Sequence, residues 1–179
     1  QRQMCIRDRG DSFAIIAYQK RKTKKGRTVC LTKEWVFDTP DEETGHYDFE
    51  QIIQLIAGLC SEHWPQVVGI DPNRLIVMNS RLRDVYGIET VSFPQNNATM
   101  CQATSIVVNE VKAGELRLRG CPKLRAHLAN TVEMLREPYG MRFGKDSKKS
   151  KIDAAIALAI AALAYDKLVS GTESYVPVS

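Results

Sequence analysis

The 179-residue chain has no CxxC pair, no GxxxxGK[ST] phosphate loop, no internal repeat and no low-complexity segment. Each absence closes a class of function. The five cysteines, at 5, 30, 60, 101 and 121, lie far apart and are odd in number. That spacing suggests neither a zinc site nor a disulfide framework and makes a reducing compartment the default. Without the phosphate loop, P-loop nucleotide hydrolysis falls outside these residues. No run reaches the roughly 20 apolar residues that a bilayer span needs. The alanine-rich stretch 152–169 comes closest, and Asp153, Asp166 and Lys167 interrupt it. No secretory signal pattern opens the chain. An excess of either charge is also missing. The net charge is +4, with 26% charged and 44% hydrophobic residues, an ordinary globular composition. A mildly basic balance permits nucleic acid as a partner without requiring one, because placement of the charge decides.

The basic residues are unevenly spread, with two dense runs, "KRKTKKGR" (Lys20–Arg27) and "KDSKKSK" (Lys145–Lys151). Each alone reads as a solvated loop; the first, at a hairpin tip, reads equally as a DNA contact. Residues 1–9, "QRQMCIRDR", show no alternation, no helical face and no turn chemistry. They resemble translated sequencing adapter. The expectation is therefore a non-native segment over 1–9, a folded domain over 10–170 cut on its N-terminal side, and a disordered tail over 171–179.

Two strands are expected first, 13–19 and 28–37, joined as a hairpin through the basic loop. After a polar loop, Asp48 caps an amphipathic helix from Phe49. Gln66–Ile70 is short and almost wholly apolar, as a strand buried on both faces should be. A helix then opens at Asp71-Pro72 and closes at Gly87. A strand over 88–94, a helix over 100–114 and an extended edge over 115–120 follow. A helix from Pro122, a hairpin over 131–145 and a long helix over 151–169 complete the chain. This order gives a mixed α/β sheet with helical cover.

Two carboxylates stand out. Asp71 ends a buried strand, where ligands bind in open α/β sheets, yet Asp-Pro is also an ordinary helix start. Asp153 falls in the first turn of the last helix. Ser150 to Asp153 match a capping box, and a first-turn acid suits the helix dipole. However, "AAIALAIAALA" after Asp153 is apolar on nearly every face, so this helix packs deep. A carboxylate drawn from water needs a partner, and a divalent cation is one. Together, Asp71 and Asp153 form a candidate oxygen-ligand pair for Mg²⁺ or Mn²⁺. Two such ions about 4 Å apart activate water and stabilise a leaving oxygen in phosphodiester cleavage. Lys145, Lys148, Lys149 and Lys151 are candidates to hold a phosphate backbone beside them.

The segments "VVGIDPNR", "VYGIETVSFPQNNATMCQATSIVVNEVKAGELRL", "CPKLRAHLANTV" and "GKDSKKSKIDAAIALAIAALA" resemble the C-terminal nuclease domain of tailed-phage large terminase subunits, from about Gly10 to Ser170. The resemblance implies an RNase H-like mixed sheet, its first strands antiparallel and the later ones parallel, flanked by helices. It also implies metal-dependent cleavage of concatemeric double-stranded viral DNA by an acidic triad. Carried over, the second acid is Asp71, the third is Asp153, and Asp11 is a secondary acid. The first-strand acid belongs near Met4, where none stands; Asp8 is the nearest. The implied setting is the cytoplasm of an infected host cell rather than the mature virion. The implied partners are an ATPase domain in the same protein, a small terminase subunit and a portal, with no membrane. Two other readings remain. One is a resolvase- or transposase-like nuclease using Asp146 as a fourth acid; the other is a catalytically incomplete DNA-binding module. Gln95, Asn96 and Asn97 read as a polar turn or as the lining of a DNA groove. His127 and Asn130 resemble the family's H-x-x-N region, and a lone helical histidine reads as a satisfied structural group.

Overall fold

The computed structural model describes residues 3–8, 12–37, 47–63, 65, 67–71, 76–147 and 150–170. Asp11, Lys148, Lys149, the residues after Asp71 through position 75 and the tail over 171–179 lie outside the described residues.

Six strands form one sheet: β1 (Gln3–Asp8), β2 (Phe13–Lys22), β3 (Thr28–Phe37), β4 (Val67–Ile70), β5 (Thr90–Ser92) and β6 (Leu116–Arg117), in the order β5-β4-β1-β2-β3-β6. The β1–β2 and β2–β3 pairs are antiparallel; β1–β4, β4–β5 and β3–β6 are parallel. This is the mixed sheet expected from the sequence, with one correction. The first residues carry no alternation, so no element was expected there. They nevertheless supply β1, between β2 and β4. A strand hydrogen-bonded on both sides needs backbone partners more than a patterned surface, and pattern alone could not reveal it.

Strand alternation divides the core. Val67, Ala14, Ile16 and Tyr18 face one layer, formed by α3 (Asn97–Lys112), α4 (Pro122–Ala129) and α5 (Asp153–Ser170). Met4, Ile15, Val68 and Ile70 face the other, formed by α1 (Phe49–His63) and α2 (Ile76–Tyr86). α5 is buried without interruption from Asp153 to Ala164, which explains its lack of a polar face. It packs on β1 and β2. A separate hairpin, β7 (Thr131–Arg136) and β8 (Gly140–Lys145), leans on α3.

Local chemistry sets the helix ends. Asp48 Oδ1 accepts the Gln51 amide at 3.0 Å at the start of α1. Gly87, at φ 63°, closes α2: its amide reaches Arg83 O and the next one reaches Leu82 O, the αL stop in which glycine costs least. α3 begins three residues earlier than its apolar pattern indicates, because Asn96 caps it through the Thr99 amide at 2.8 Å.

Candidate active site

The sheet directions bring several polar groups to one edge. β1 and β4 run parallel, so their carboxyl ends lie together; β2 runs back from that edge, with Phe13 paired to Asp8. Asp71 follows Ile70 at the end of β4 and is 5% exposed. Ser12 precedes Phe13 at the start of β2 and is fully buried. Its hydroxyl donates to Asp153 Oδ2 at 2.6 Å. Asp153, 0% exposed, is thereby tied to the same edge as Asp71. Ser12 and Asp71 stand two strand spacings apart across β1, roughly 10 Å between backbones.

Two neutral groups orient these oxygens. Gln95, just after β5, donates from Nε2 to Asp71 Oδ2 at 2.7 Å, and Ser12 holds Asp153. Both fix the direction of the oxygen they touch. Charge-assisted bonds of this kind are short and directional.

The first turn of α5 is clamped from outside its own sequence. His127 Nδ1 accepts the Ala154 amide at 3.0 Å, so the imidazole carries its ring proton on Nε2. Asn130 Nδ2 donates to Lys151 O at 3.1 Å. The two polar members of the H-x-x-N segment thus cap and position the turn that carries Asp153. The capping box expected from Ser150 and Asp153 is corrected here. The Asp153 carboxylate accepts the Ser12 hydroxyl, while the Ser150 hydroxyl bonds Asp146 and stands 2.8 Å from that of Ser147. A buried tertiary donor and a histidine from α4 take the roles that the local pattern assigned to the cap. Asp146, the possible fourth acid, is exposed.

Among the other candidates, Lys145 lines a cleft of about 270 Å³ with Arg136, Arg142 and Ile152, beside the start of α5. Arg142 also donates to Asn97 Oδ1 at 2.9 Å. Lys151 is half-buried next to Asp153. Gln95, Asn96 and Asn97 therefore divide into a carboxylate donor, a helix cap and an arginine acceptor. A larger cleft, about 540 Å³, lies over the α1–α2 layer and contains Cys60, Tyr86 and Glu89; it is apart from the carboxylate pair. Burial pushes the Cys60 thiol up to about 11, which leaves it a weak nucleophile at neutral pH.

In β1, Met4 pairs with Val68 and is 1% exposed, inside the core. Ile6 pairs with Ile70; one step on, position 7 stands level with Asp71. No group of three or more His, Cys, Asp or Glu able to hold a metal occurs among the described residues. The donor set they provide is two carboxylates with neutral orienting groups. That chemistry fits Mg²⁺ or Mn²⁺, which bind through one or two carboxylates together with water and substrate phosphates. Among the described residues, no helix is long and apolar enough to cross a membrane.

Ser12, Gln95 and the Nδ1 role of His127 were the parts sequence reading missed. The signal for Ser12 was a hydroxyl directly ahead of an apolar strand; the partners of Gln95 and His127 are tertiary and left no local trace.

Comparisons with known proteins bear on the fold and the family. The family model described as terminase large subunit, endonuclease domain, matches residues 12–167. No curated protein matches the chain. Among solved structures, the HK97 bacteriophage large terminase aligns with a TM-score of 0.72 at 16% identity, covering 91% of this chain and 38% of that one. The chain thus spans well under half of that protein. The large terminase nuclease from thermophilic phage G20c, a structure with bound magnesium, aligns at 0.60 and 14% identity, covering 91% and 82%. Thermus thermophilus RuvC aligns at 0.56 and 14% identity, covering 99% and 100%. At these identities the structures speak to the fold, which is RNase H-like; the family model speaks to the lineage. The chain belongs to the endonuclease-domain family of terminase large subunits and is a nuclease domain.

Proposed function

We propose that this domain hydrolyses phosphodiester bonds of double-stranded DNA at the edge formed by Asp71 and Asp153, within a viral DNA-packaging protein. The observation that carries the reading is the Ser12–Asp153 hydrogen bond, which joins the first turn of α5 to the strand edge where Asp71 stands. Asp71 and Asp153 would hold Mg²⁺ or Mn²⁺ ions, in the two-ion arrangement of such nucleases. When bound, the ions lower the pKa of a coordinated water and stabilise the leaving oxygen.

The residues of the chain do the rest. Ser12 and Gln95 keep one oxygen of each carboxylate fixed. His127 and Asn130 hold the α5 turn and therefore Asp153. Lys145 and Lys151, with Arg136 and Arg142 nearby, attract the phosphate backbone; Lys148 and Lys149 extend the same basic segment. The reading also includes an incomplete triad: the family's first-strand acid has no counterpart at position 7, which is arginine. The wider setting is a host-cell packaging machine in which an ATPase domain, a small terminase subunit and a portal accompany this domain.

The experiment is Mn²⁺-dependent nicking of supercoiled plasmid. Asp153→Asn and Asp71→Asn are expected to reduce nicking by about 100-fold or more, the scale of losing an electrostatic catalytic element. Arg7→Asp is expected to raise it. Nicking that survives Asp153→Asn, or that proceeds equally with a chelator, overturns the reading.

A further inference from the structure

A second charged region lies far from the proposed catalytic edge. The loop between β2 and β3 and its flanks read "QKRKTKKGRT" from Gln19 to Thr28, with no acidic and no apolar residue. Arg21, Lys22, Lys24, Lys25 and Arg27 are all exposed. Lys20 is different: it turns inward to Glu110 Oε1 at 2.9 Å and anchors the base of the ribbon.

The tip is built rather than slack. The Thr23 amide bonds Arg27 O at 2.8 Å and the Gly26 amide bonds Thr23 O at 2.9 Å. The Arg27 amide reaches Thr23 Oγ1 at 3.1 Å. Gly26, at φ 76°, takes the left-handed position the turn requires. Five cations are thus presented on a fixed two-stranded ribbon, and among the described residues no carboxylate forms an ion pair with them.

We propose that this ribbon tip is a second contact for the phosphate backbone of duplex DNA. This rests on the nuclease reading for its choice of DNA as the polyanion. Composition separates DNA from an acidic protein. A stable protein interface has an apolar or aromatic core inside its polar rim, and Gln19–Thr28 offers none. Backbone recognition needs only closely spaced Lys and Arg, and ribbons of two strands are a known reader geometry. Position separates it from the catalytic contact. β2 takes nine residue steps from Phe13, at the carboxylate edge, to Lys22 at the tip. At about 3.3 Å per step that is roughly 30 Å, or about nine base-pair rises. The tip therefore grips duplex about one helical turn away from the phosphates at the cut.

The test compares binding of a duplex of about 40 base pairs without divalent metal, by fluorescence anisotropy across a salt series. The chain as it stands is set against Lys22→Gln/Lys24→Gln/Lys25→Gln and a charge-matched control, Lys112→Gln/Arg119→Gln/Arg125→Gln. The tip variant is expected to bind about tenfold more weakly at about 0.1 M salt. Its log–log salt slope should be shallower by two to three units, at about 0.9 per phosphate contact. The control should shift the slope by less than one unit. The slope loss should persist on top of Lys145→Gln/Lys151→Gln, as independent contacts require. A tip variant matching the control overturns the proposal, as does a chain that binds no duplex. Loss of binding to poly-L-glutamate with an unchanged DNA slope overturns it in favour of an acidic protein partner. The nuclease reading is judged separately by Asp153→Asn nicking, so either idea can fail alone.

Discussion

The layer of the sheet covered by α5 buries Glu110 and Asp153 at opposite ends, and the fold treats them differently. Glu110, on α3, is 4% exposed. It accepts the Tyr18 hydroxyl at 2.5 Å and pairs with the Lys20 ammonium at 2.9 Å, while its Oε2 has no hydrogen-bond partner. Tyr165 closes the group, its ring 5.8 Å from Tyr18 and 5.5 Å from the Lys20 nitrogen. Asp153, at the other end, is fully buried and held by a serine hydroxyl. One carboxylate has a resident cation from its own sheet. The other accepts a serine hydroxyl that fixes the direction of one oxygen. Burial alone does not tell the two apart.

The sharpest way to break this contrast is to neutralise each carboxylate in turn. Asp153→Asn should abolish about 99% or more of Mn²⁺-dependent nicking, whereas Glu110→Gln should leave the rate within about threefold. Equal losses in both variants would erase the distinction. Stability should show the reverse order. Glu110→Ala strands the Lys20 ammonium and the Tyr18 hydroxyl, costing about 3 kcal/mol in urea unfolding. Glu110→Leu with Lys20→Met, which removes both charges, should recover most of that loss.

A smaller effect separates two neighbouring residues. Asn96→Ala removes the α3 cap and should cost about 1 kcal/mol with nicking little changed. Gln95→Ala frees one oxygen of Asp71 and should slow nicking several-fold while the unfolding midpoint stays put. If both substitutions acted only on stability, the polar turn after β5 would be scaffold throughout.

The finest probe is alkaline pH. Burial pulls the Lys20 pKa down, but the hydrogen bond and charge of Glu110 more than offset it, leaving a net rise. Burial raises the Tyr18 phenol well above its usual range, and raises the Cys30 thiol to about 11. A pKa raised by folding contributes stability that is present below the unfolded value and is lost as pH climbs through the folded one. The melting temperature should therefore hold to about pH 8.5 and decline from there to pH 11. Glu110→Gln should flatten the Lys20 part of that decline.

Much of this was legible from the sequence because neighbouring residues carried it. Alternation and β-branching gave β2 and β3, the all-round apolar run gave α5, and Asp48 and Gly87 marked helix ends through their own backbone preferences. The Asp71 and Asp153 candidates came from their places at a strand end and in a buried first turn. What stayed hidden depends on contacts between distant segments. β1 has no pattern of its own and exists through pairing with β2 and β4. The Ser150–Asp153 motif matched a local cap, yet the serine just ahead of β2 and a histidine from α4 outcompeted it. Gln95 looked like turn chemistry because its partner, Asp71, follows the neighbouring strand and lies 24 positions away in the chain.

Ser12 and Asp153 are 141 positions apart in the chain and bonded in space. During synthesis the strands leave the ribosome long before α5 does, so this bond can form only after that helix has emerged. A polypeptide stopped ahead of α5 therefore carries Asp71 without Asp153.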